Sequence, residues 1–394
     1  MHLVLVSKIN SIITDNDFHF LLKYGVMSLS VGIVGLPNVG KSTLFNALLK
    51  RQQALAANYP FATIEPNVGI VEVPDERLAK LAEVVEKNEK LEQGSVPKKP
   101  ATIEFYDIAG LVAGASQGEG LGNQFLAHIR ETDLICHVLR AFEDSDVVVT
   151  GKMDPSEDLE TVRTELILKD METVKKAKEA KLKVQSVKEK EAIQNAYKKV
   201  EEALNEGKML NTVEFTDKEL EIVQPLCFLT IKPEIYAVNL SEDQLLTKTE
   251  KNIHEKLGVL ASDMVYISAK LEAQLSDLSE NEQKEYLSEM GLDKSGIEEM
   301  AKVAYDKLGL ISFLTAGVIE ARAWTIKKGT NAQEAAGVIH TDFSKKFIKA
   351  QVINWEKFVE LGGWKNAREQ GKVRQEGRDY FMQDGDVVEF MIGK

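Results

Sequence analysis

The chain has 394 residues, which is enough for two or three domains with hydrophobic cores of their own. Its hydrophobic content of 44% and charged content of 28% are those of an ordinary soluble globular protein. The formal net charge of -13 argues against general attraction to nucleic acid, although it leaves room for a local basic patch. Two cysteines occur, Cys136 and Cys227, each inside an apolar run, and we interpret both as reduced core thiols without disulfide or metal-ligand spacing.

Residues 1–26 have no pattern of a targeting signal or a membrane segment. Lys8, Asp15 and Asp17 interrupt the apolar stretches, no small-residue cleavage site follows, and neither stretch could span a bilayer. Met27 is a natural first residue for the domain that follows, so we predict that residues 1–26 are an N-terminal extension. No transmembrane segment is predicted elsewhere, and we expect a cytoplasmic protein with no membrane partner.

A phosphate-binding loop is predicted at Gly35-Leu-Pro-Asn-Val-Gly-Lys-Ser42, which fits the pattern G-x-x-x-x-G-K-[ST] at every fixed position. The apolar run 29–34 before it is typical of a buried parallel strand, and the run 43–49 after it has helical spacing, which disfavours a chance match. Backbone N–H groups of such a loop curl around phosphate oxygens. Lys41 would reach the β- and γ-phosphates, and the Ser42 hydroxyl would ligate Mg²⁺. The nucleotide-binding candidates of the loop are Asn38, Val39, Gly40, Lys41, Ser42 and Thr43.

The segments after the loop alternate as in an α/β domain. Strands are predicted at 68–73, 101–106, 134–142, 226–230, 234–239 and 264–268, with an amphipathic helix at 75–86. Between them, residues 151–225 carry apolar side chains at three- and four-residue steps, which predicts two long helices that reverse near 185–188 as a coiled-coil hairpin. A solvated spacer is the alternative. From about residue 309, short strands separated by polar turns predict a small α+β domain.

These patterns predict an α/β fold, namely a P-loop NTPase domain of the GTPase-like type with a mostly parallel sheet and a helical insertion. The predicted domain boundaries are 1–26 for the extension, 27–150 and 226–308 for the two parts of the nucleotide-binding domain, 151–225 for the coiled-coil hairpin and 309–394 for the C-terminal domain.

Further motifs follow the phosphate loop in the chain order of a GTPase-like domain. Thr63 lies in a turn-rich loop, where its hydroxyl can complete the coordination of Mg²⁺. Asp107-Ile-Ala-Gly110 is a D-x-x-G motif, whose carboxylate holds Mg²⁺ through water and whose Gly110 N–H points at the γ-phosphate. The predicted metal ligands are therefore Ser42, Thr63 and Asp107. Asn239-Leu-Ser-Glu242 and Ser268-Ala-Lys270 end the last two strands of the domain, where base recognition belongs.

The Asn239 motif departs from the guanine-reading N-K-x-D. Leu240 replaces the lysine whose stem packs on the purine, and Glu242 replaces the aspartate that accepts hydrogen bonds from guanine. Asn239 can still bond the purine edge, and Leu240 can still cover the ring face. We therefore expect the guanine preference to be lost and adenine to be tolerated.

The catalytic group is less evident. Leu111 follows Gly110, where Ras-type GTPases place a water-orienting glutamine, so we expect hydrolysis to be slow or to use another group. His137 and His128 are the candidates, and a core histidine with satisfied hydrogen bonds is the alternative for each. Asn38 could help to hold a monovalent cation such as K⁺ against the phosphates, with simple loop capping as the alternative.

Several stretches together resemble the Obg-like ATPase (YchF) family of the P-loop GTPase superfamily. They are Gly35-Leu-Pro-Asn-Val-Gly-Lys-Ser42, Tyr59-Pro-Phe-Ala-Thr-Ile-Glu-Pro-Asn67, Gly114-Ala-Ser-Gln-Gly-Glu-Gly-Leu-Gly122 and Asn239-Leu-Ser-Glu242. Ala321-Arg-Ala-Trp-Thr325, Gly337-Val-Ile-His-Thr-Asp-Phe343 and Glu376-Gly-Arg-Asp-Tyr380 resemble the TGS domain of the same family, a β-grasp fold.

The resemblance runs from Met27 to the C terminus, and it implies a relative of translation-factor GTPases that prefers ATP, carries a coiled-coil insertion and associates with ribosomes. It also implies that Asn239 and Leu240 contact adenine, and that Ser268 and Ala269 belong to the nucleotide site. Ala62 stands where the family commonly has cysteine, which should not affect the ligation of Mg²⁺ by the next residue.

Basic residues are concentrated in the C-terminal region, where 12 basic and 7 acidic residues fall between Ala321 and Tyr380. A solvated basic face is one interpretation, because no RNA-reading motif is present. Together with the resemblance, the excess predicts association with the ribosome, through the large subunit and its rRNA, and no DNA partner.

The leading hypothesis is an ATPase that slowly cleaves the β–γ phosphoanhydride bond, as a switch in translation or stress regulation. The proposed catalytic set is Lys41, Asp107, Gly110 and His137, with Mg²⁺ as cofactor and K⁺ as a candidate second cation. The alternatives are a GTPase of ordinary specificity and a ribosome- or RNA-binding module in which the nucleotide is mainly structural.

Overall fold

The computed structural model describes residues 29–56, 67–108, 129–142, 154–180, 186–247 and 253–393. The chain divides into two compact units. The described parts of the first lie within Leu29–Ile70 and Glu104–Met300, and those of the second lie within Val71–Ile103 and Ala301–Lys394. Among the described helices, none is both long enough and apolar enough to cross a membrane.

The strands of the described residues are, in chain order, β1 (Ser30–Val34), β2 (Val68–Glu72), β3 (Lys98–Lys99), β4 (Thr102–Asp107), β5 (Leu134–Arg140), β6 (Glu234–Asn239), β7 (Met264–Ile267), β8 (Leu310–Ala316), β9 (Ala321–Lys327), β10 (Phe347–Asn354), β11 (Arg374–Glu376) and β12 (Asp386–Ile392). The helices are α1 (Lys41–Ala56), α2 (Arg77–Glu89), α3 (Pro155–Glu179), α4 (Val187–Asn205), α5 (Asp217–Val223), α6 (Glu242–Thr247), α7 (Ile253–Leu257), α8 (Ala269–Leu275), α9 (Glu280–Glu289), α10 (Gly296–Lys307), α11 (Ala332–Ile339), α12 (Thr341–Lys345), α13 (Trp355–Leu361) and α14 (Trp364–Glu369).

The first sheet has the strand order β2-β4-β1-β5-β6-β7. The pairs β4·β1, β1·β5, β5·β6 and β6·β7 are all parallel. β2 runs antiparallel to β4, because the Asp107 N–H donates to the Asn67 carbonyl and the Val73 N–H donates to the Ala101 carbonyl. β1, β5 and β6 are buried along their whole length, which explains why each is a nearly continuous apolar run in the sequence.

The predicted helical insertion consists of α3 and α4, which pack together through an apolar seam that includes Val174, Ile193, Tyr197 and Val200. α4 begins within the predicted reversal, and residues 181–185 lie outside the described part of the chain. Asp170 joins α3 to the irregular segment before β6: its fully buried carboxylate accepts hydrogen bonds from two backbone N–H groups and one hydroxyl of residues 229–230.

The predicted strand at 226–230 is wrong. The chain there leaves a 3-10 turn at Gln224–Leu226, and Cys227 has a left-handed φ of 48°, which a strand does not allow. Phe228 and Leu229 are buried because they pack on the hairpin helices and beside the sheet. Cys136 is a buried thiol as predicted, whereas Cys227 is exposed, so its interpretation as a core thiol is also wrong.

The second unit contains a sheet in the order β11-β10-β12-β8-β9-β3, with antiparallel pairs β10·β11, β10·β12 and β8·β9. Residues 71–103, which the sequence analysis assigned to the nucleotide-binding domain, belong to this unit. The reason is pairing: Lys98 and Lys99 of β3 lie parallel to Ala321 and Arg322 of β9. Arg77 at the start of α2 also binds Asp384, with 2.7 Å between Nη1 and Oδ2.

Candidate nucleotide-binding site

The phosphate loop connects the end of β1 to the start of α1, as predicted. Two of its positions require glycine. Gly35 has a φ of 155°, and a Cβ there would lie 2.5 Å from the Val138 carbonyl oxygen. Gly40 has a φ of 100°, and a Cβ there would overlap the side-chain amide of Asn239. The loop is thus shaped by close approach to β5 and β6.

Lys41 is the first residue of α1 and is only 6% exposed. Its ammonium donates to the Leu36 carbonyl at 2.6 Å, inside the curve of the loop. Burial lowers the pKa of Lys41 to about 8, an effect that the nearby Asp107 carboxylate partly opposes. Ser42 and Thr43 are exposed on the first turn of α1, where the free backbone N–H groups of a helix N-terminus can bind an anion.

Asp107 ends β4, directly beside Ile33 of β1. Burial raises the pKa of its carboxyl, and Lys41 counteracts this rise. Its side chain has no hydrogen-bond partner in the part of the chain that the structure describes, and the exposed Ser42 hydroxyl supplies a second hard oxygen. These two residues fit a Mg²⁺ ion that takes its other oxygens from phosphate and water. Thr63, Gly110, Leu111 and His128 lie outside the described residues.

Asn239 joins three of the predicted motifs. Its Nδ2 donates to the Val39 carbonyl at 2.9 Å, and its Oδ1 accepts from the Ala269 N–H at 2.9 Å. The side chain is 4% exposed, and each of its polar atoms has a protein partner. The residue predicted to read the base therefore also fixes the phosphate loop against the segment that follows β7. This bridging role was not predictable from the sequence, because the contact spans 200 residues.

Leu240 lies in the core and not over an open surface. It is 4% exposed, packs in a cluster with Leu139 and Val238, and donates its N–H to the Ile267 carbonyl at 2.8 Å. This placement favours a core role over the predicted contact with a ring face. One carboxylate oxygen of Glu242, Oε1, is buried without a hydrogen-bond partner among the described residues.

Ser268 and Ala269 directly follow β7, as predicted, and form the start of α8. Ser268 is 1% exposed and caps the helix, since its hydroxyl accepts from the Leu271 N–H. Ala269 faces the phosphate loop, with its Cβ 3.5 Å from a Cβ built on Gly40.

The geometry of His137 does not support the predicted catalytic role. The side chain is fully buried in the sheet, and its Nε2 lies 2.7 Å from Oε1 of Glu234 on the neighbouring strand. The ring stacks on Tyr236, with 5.6 Å between centroids. Glu234 also binds Arg163 of α3, with 2.9 Å between Oε2 and Nη2. His137 is therefore a core histidine, but the alternative interpretation holds only in part, because its buried Nδ1 has no hydrogen-bond partner among the described residues.

The fold and this site define a P-loop protein of the GTPase class: a mostly parallel sheet, a glycine loop that leads into a helix, and an aspartate at the end of the adjacent strand. A family model described as "50S ribosome-binding GTPase" matches residues 30–239. A second model, for the C-terminal region of YchF GTPases and described as a protein of unknown function, matches residues 310–393. The predicted fold class is confirmed.

Full-length relatives agree with both models. A Bacillus subtilis (strain 168) protein named ribosome-binding ATPase YchF is 47% identical over 373 residues, which are 92% of this chain and 99% of the relative. The protein of the same name from Escherichia coli O157:H7 is 44% identical over 93% of this chain and 99% of its own length. A solved structure of the Schizosaccharomyces pombe YchF GTPase has a TM-score of 0.78 and 37% identity, and covers 92% of this chain and 98% of that one. The chain belongs to the YchF family.

Proposed function

We propose that this chain is a ribosome-associated ATPase that binds ATP and slowly hydrolyses its β–γ phosphoanhydride bond, as a nucleotide-dependent switch in translation or stress regulation. The observation that carries this proposal is the Asn239 bridge, because it holds the phosphate loop and the base-side loop, which is residues 268–270 at the start of α8, together as one site. The name of the family's bacterial relatives, ribosome-binding ATPase, supports both halves of the proposal.

The roles within the site follow from position and charge. Lys41 would pair with the β- and γ-phosphates, and the N–H groups from Asn38 to Thr43 would surround the phosphate oxygens. Ser42, Asp107 and Thr63 would hold Mg²⁺, which neutralises charge that develops on the transferred phosphoryl group. The Gly110 N–H would contact the γ-phosphate. Asn38 is exposed, with a left-handed φ of 65°, and is our proposed contact for K⁺.

The segment of residues 239–242 supports a preference for ATP over GTP, or equal binding of the two. In N-K-x-D proteins a lysine stem covers the purine ring. Here the lysine position is occupied by Leu240, which is buried in the core. Glu242 replaces the shorter aspartate that pairs with guanine. A second candidate function is a GTPase of ordinary specificity. It requires the lysine and aspartate contacts of N-K-x-D to guanine, and both of these residues are replaced in residues 239–242.

Titration of fluorescent ATP and GTP analogues onto the protein, followed by a hydrolysis assay with each nucleotide, tests the proposal. We expect ATP to bind at least as tightly as GTP, and turnover far below the roughly ten per second that is typical of enzymes. Lys41→Ala and Asp107→Ala should abolish turnover. A tenfold preference for GTP, about 1.4 kcal/mol, would establish ordinary GTPase specificity. Binding without any hydrolysis would establish the module with a structural nucleotide.

The ribosome contact is proposed to include the second unit. Lys345, Lys346 and Arg378 are exposed, and their side chains make no ion pair within the described residues. Arg374 contributes less, because it already binds Tyr380 at 2.8 Å and lies near Asp386. Free cations of this kind fit rRNA phosphates of the large subunit, with the hairpin as a second contact.

Ribosome pelleting over a potassium chloride series tests this contact. Binding should weaken with salt, as phosphate contacts do. Charge reversal at Lys345, Lys346 and Arg378 should weaken it further, whereas the same change at the exposed Lys284 of α9 is the control. Equal binding by both variants would exclude the basic residues of the second unit.

A further inference from the structure

The helices that follow the two nucleotide-binding loops pack against each other. α1 carries Lys41 and Ser42 at its start, and α8 carries Ala269. The Asn239 bridge holds their N-terminal ends together, through Val39 and Ala269. A second polar joint lies further along the same two helices, between Arg51 of α1 and Glu272 of α8.

This joint is a buried ion pair. Arg51 Nη2 lies 3.5 Å from Glu272 Oε2, and its Nη1 lies 3.9 Å from Glu298 Oε1 on α10. The side chain of Arg51 is 13% exposed and that of Glu272 is 1% exposed. A charge this deeply buried is costly unless it is paired, so the two helices are held at the separation that keeps the pair.

Glu272 also fixes the start of α10. Its Oε1 accepts the Gly296 N–H at 2.7 Å, which is a charge-assisted helix cap. Gly296 lies so close to β7 that a Cβ there would be 2.6 Å from Ile267 Cγ2. α1, α8 and the start of α10 therefore meet at a single carboxylate, at a distance from the phosphate loop. Neither Arg51 nor Glu272 belongs to a motif that the sequence reveals.

We propose that Arg51 and Glu272 are positioning residues that set the separation between the phosphate loop and the base-side loop, so that both ends of one ATP molecule are bound at once. This inference rests on the proposed function. Binding two linked groups in a preset geometry gives an affinity that neither group reaches alone. A change in the separation should therefore weaken ATP much more than a ligand that occupies the phosphate loop only.

The experiment measures the dissociation constants of ATP and of inorganic tripolyphosphate, both with Mg²⁺, for wild type and three variants. Glu272→Gln keeps an acceptor for the Gly296 N–H but removes the charge. The double variant Arg51→Met with Glu272→Gln removes both buried charges and leaves only the Glu298 carboxylate without Arg51, at a side chain that is 35% exposed. Lys50→Met is the matched control, because its ion pair joins α1 to Asp277, in the turn directly after α8, at 2.6 Å but is exposed, with side chains 48% and 64% accessible.

We expect the dissociation constant of ATP to rise at least fivefold in Glu272→Gln and in the double variant, with less than a twofold change for tripolyphosphate and for kcat at saturating ATP. Lys50→Met should change neither ligand by twofold. Unchanged ATP binding in both test variants overturns the inference, and so does an equal loss for ATP and tripolyphosphate, which indicates general damage to the site. A wild-type protein that binds tripolyphosphate but not ATP would instead refute the proposed function.

Discussion

Raising the pH should weaken nucleotide binding through Lys41. In the free protein, burial lowers the pKa of this ammonium to about 8, from an ordinary value of 10.5. The negative phosphates of a bound nucleotide favour the charged form and raise the pKa again, so binding takes up a proton. Affinity is therefore highest well below pH 8 and is lost as the pH rises through this value.

The size of the effect follows from the pKa. At pH 9 about one lysine in eleven is protonated, so the dissociation constant should rise about tenfold, or about 1.4 kcal/mol, relative to pH 7. Calorimetry at pH 8 in two buffers of different ionisation enthalpy should show an uptake of about half a proton per ATP. Lys41→Arg does not titrate in this range and should show no such uptake. A dissociation constant that is flat from pH 7 to 9, with no proton uptake in wild type, would refute the assignment of Lys41 to the phosphates.

Two further predictions concern buried side chains of the first unit. Asp170→Ala leaves two buried N–H groups and one hydroxyl without their acceptor, at about 1–3 kcal/mol each. Urea denaturation should show a free energy of unfolding about 4 kcal/mol lower, and a loss below about 1 kcal/mol would contradict the burial of these groups. His137→Gln should leave the rate of ATP hydrolysis within twofold of wild type, because the side chain binds Glu234 in the core. A loss of a hundredfold or more in a variant that still folds would restore the histidine to the catalytic set.

Much of the fold follows from local signals in the sequence. β1, β5 and β6 are buried along their length, so their apolar runs stand out, and β6 begins and ends at the predicted residues 234 and 239. The phosphate loop is equally easy to recognise in the sequence, because Gly35 and Gly40 occupy positions where a side chain would collide with β5 or with Asn239. In these cases the burial or the backbone conformation of a short stretch directly selects its residue types, so the sequence of that stretch is enough to predict its structure.

Burial without regular structure was not predictable. The run 226–230 has the composition of a strand, because an apolar run signals burial and does not fix the conformation. What decides the conformation is Asp170, which takes the N–H groups of Leu229 and Thr230 that a sheet would otherwise use. That carboxylate is 59 and 60 positions away in the sequence. No local pattern near residue 226 carries this information.

The same limit applies to the site. The sequence identifies Asn239, Leu240 and His137 as chemically interesting, but their roles depend on partners from distant segments. Asn239 meets Val39 and Ala269, Leu240 enters a core cluster, and His137 meets Glu234, because parallel strands bring their neighbours into register. A motif therefore indicates which side chains can bind a nucleotide, whereas the register of the sheet decides which of them remain free to do so. On this reasoning we expect Lys41, Asp107 and Ser42 to be the residues that bind the phosphates and the metal.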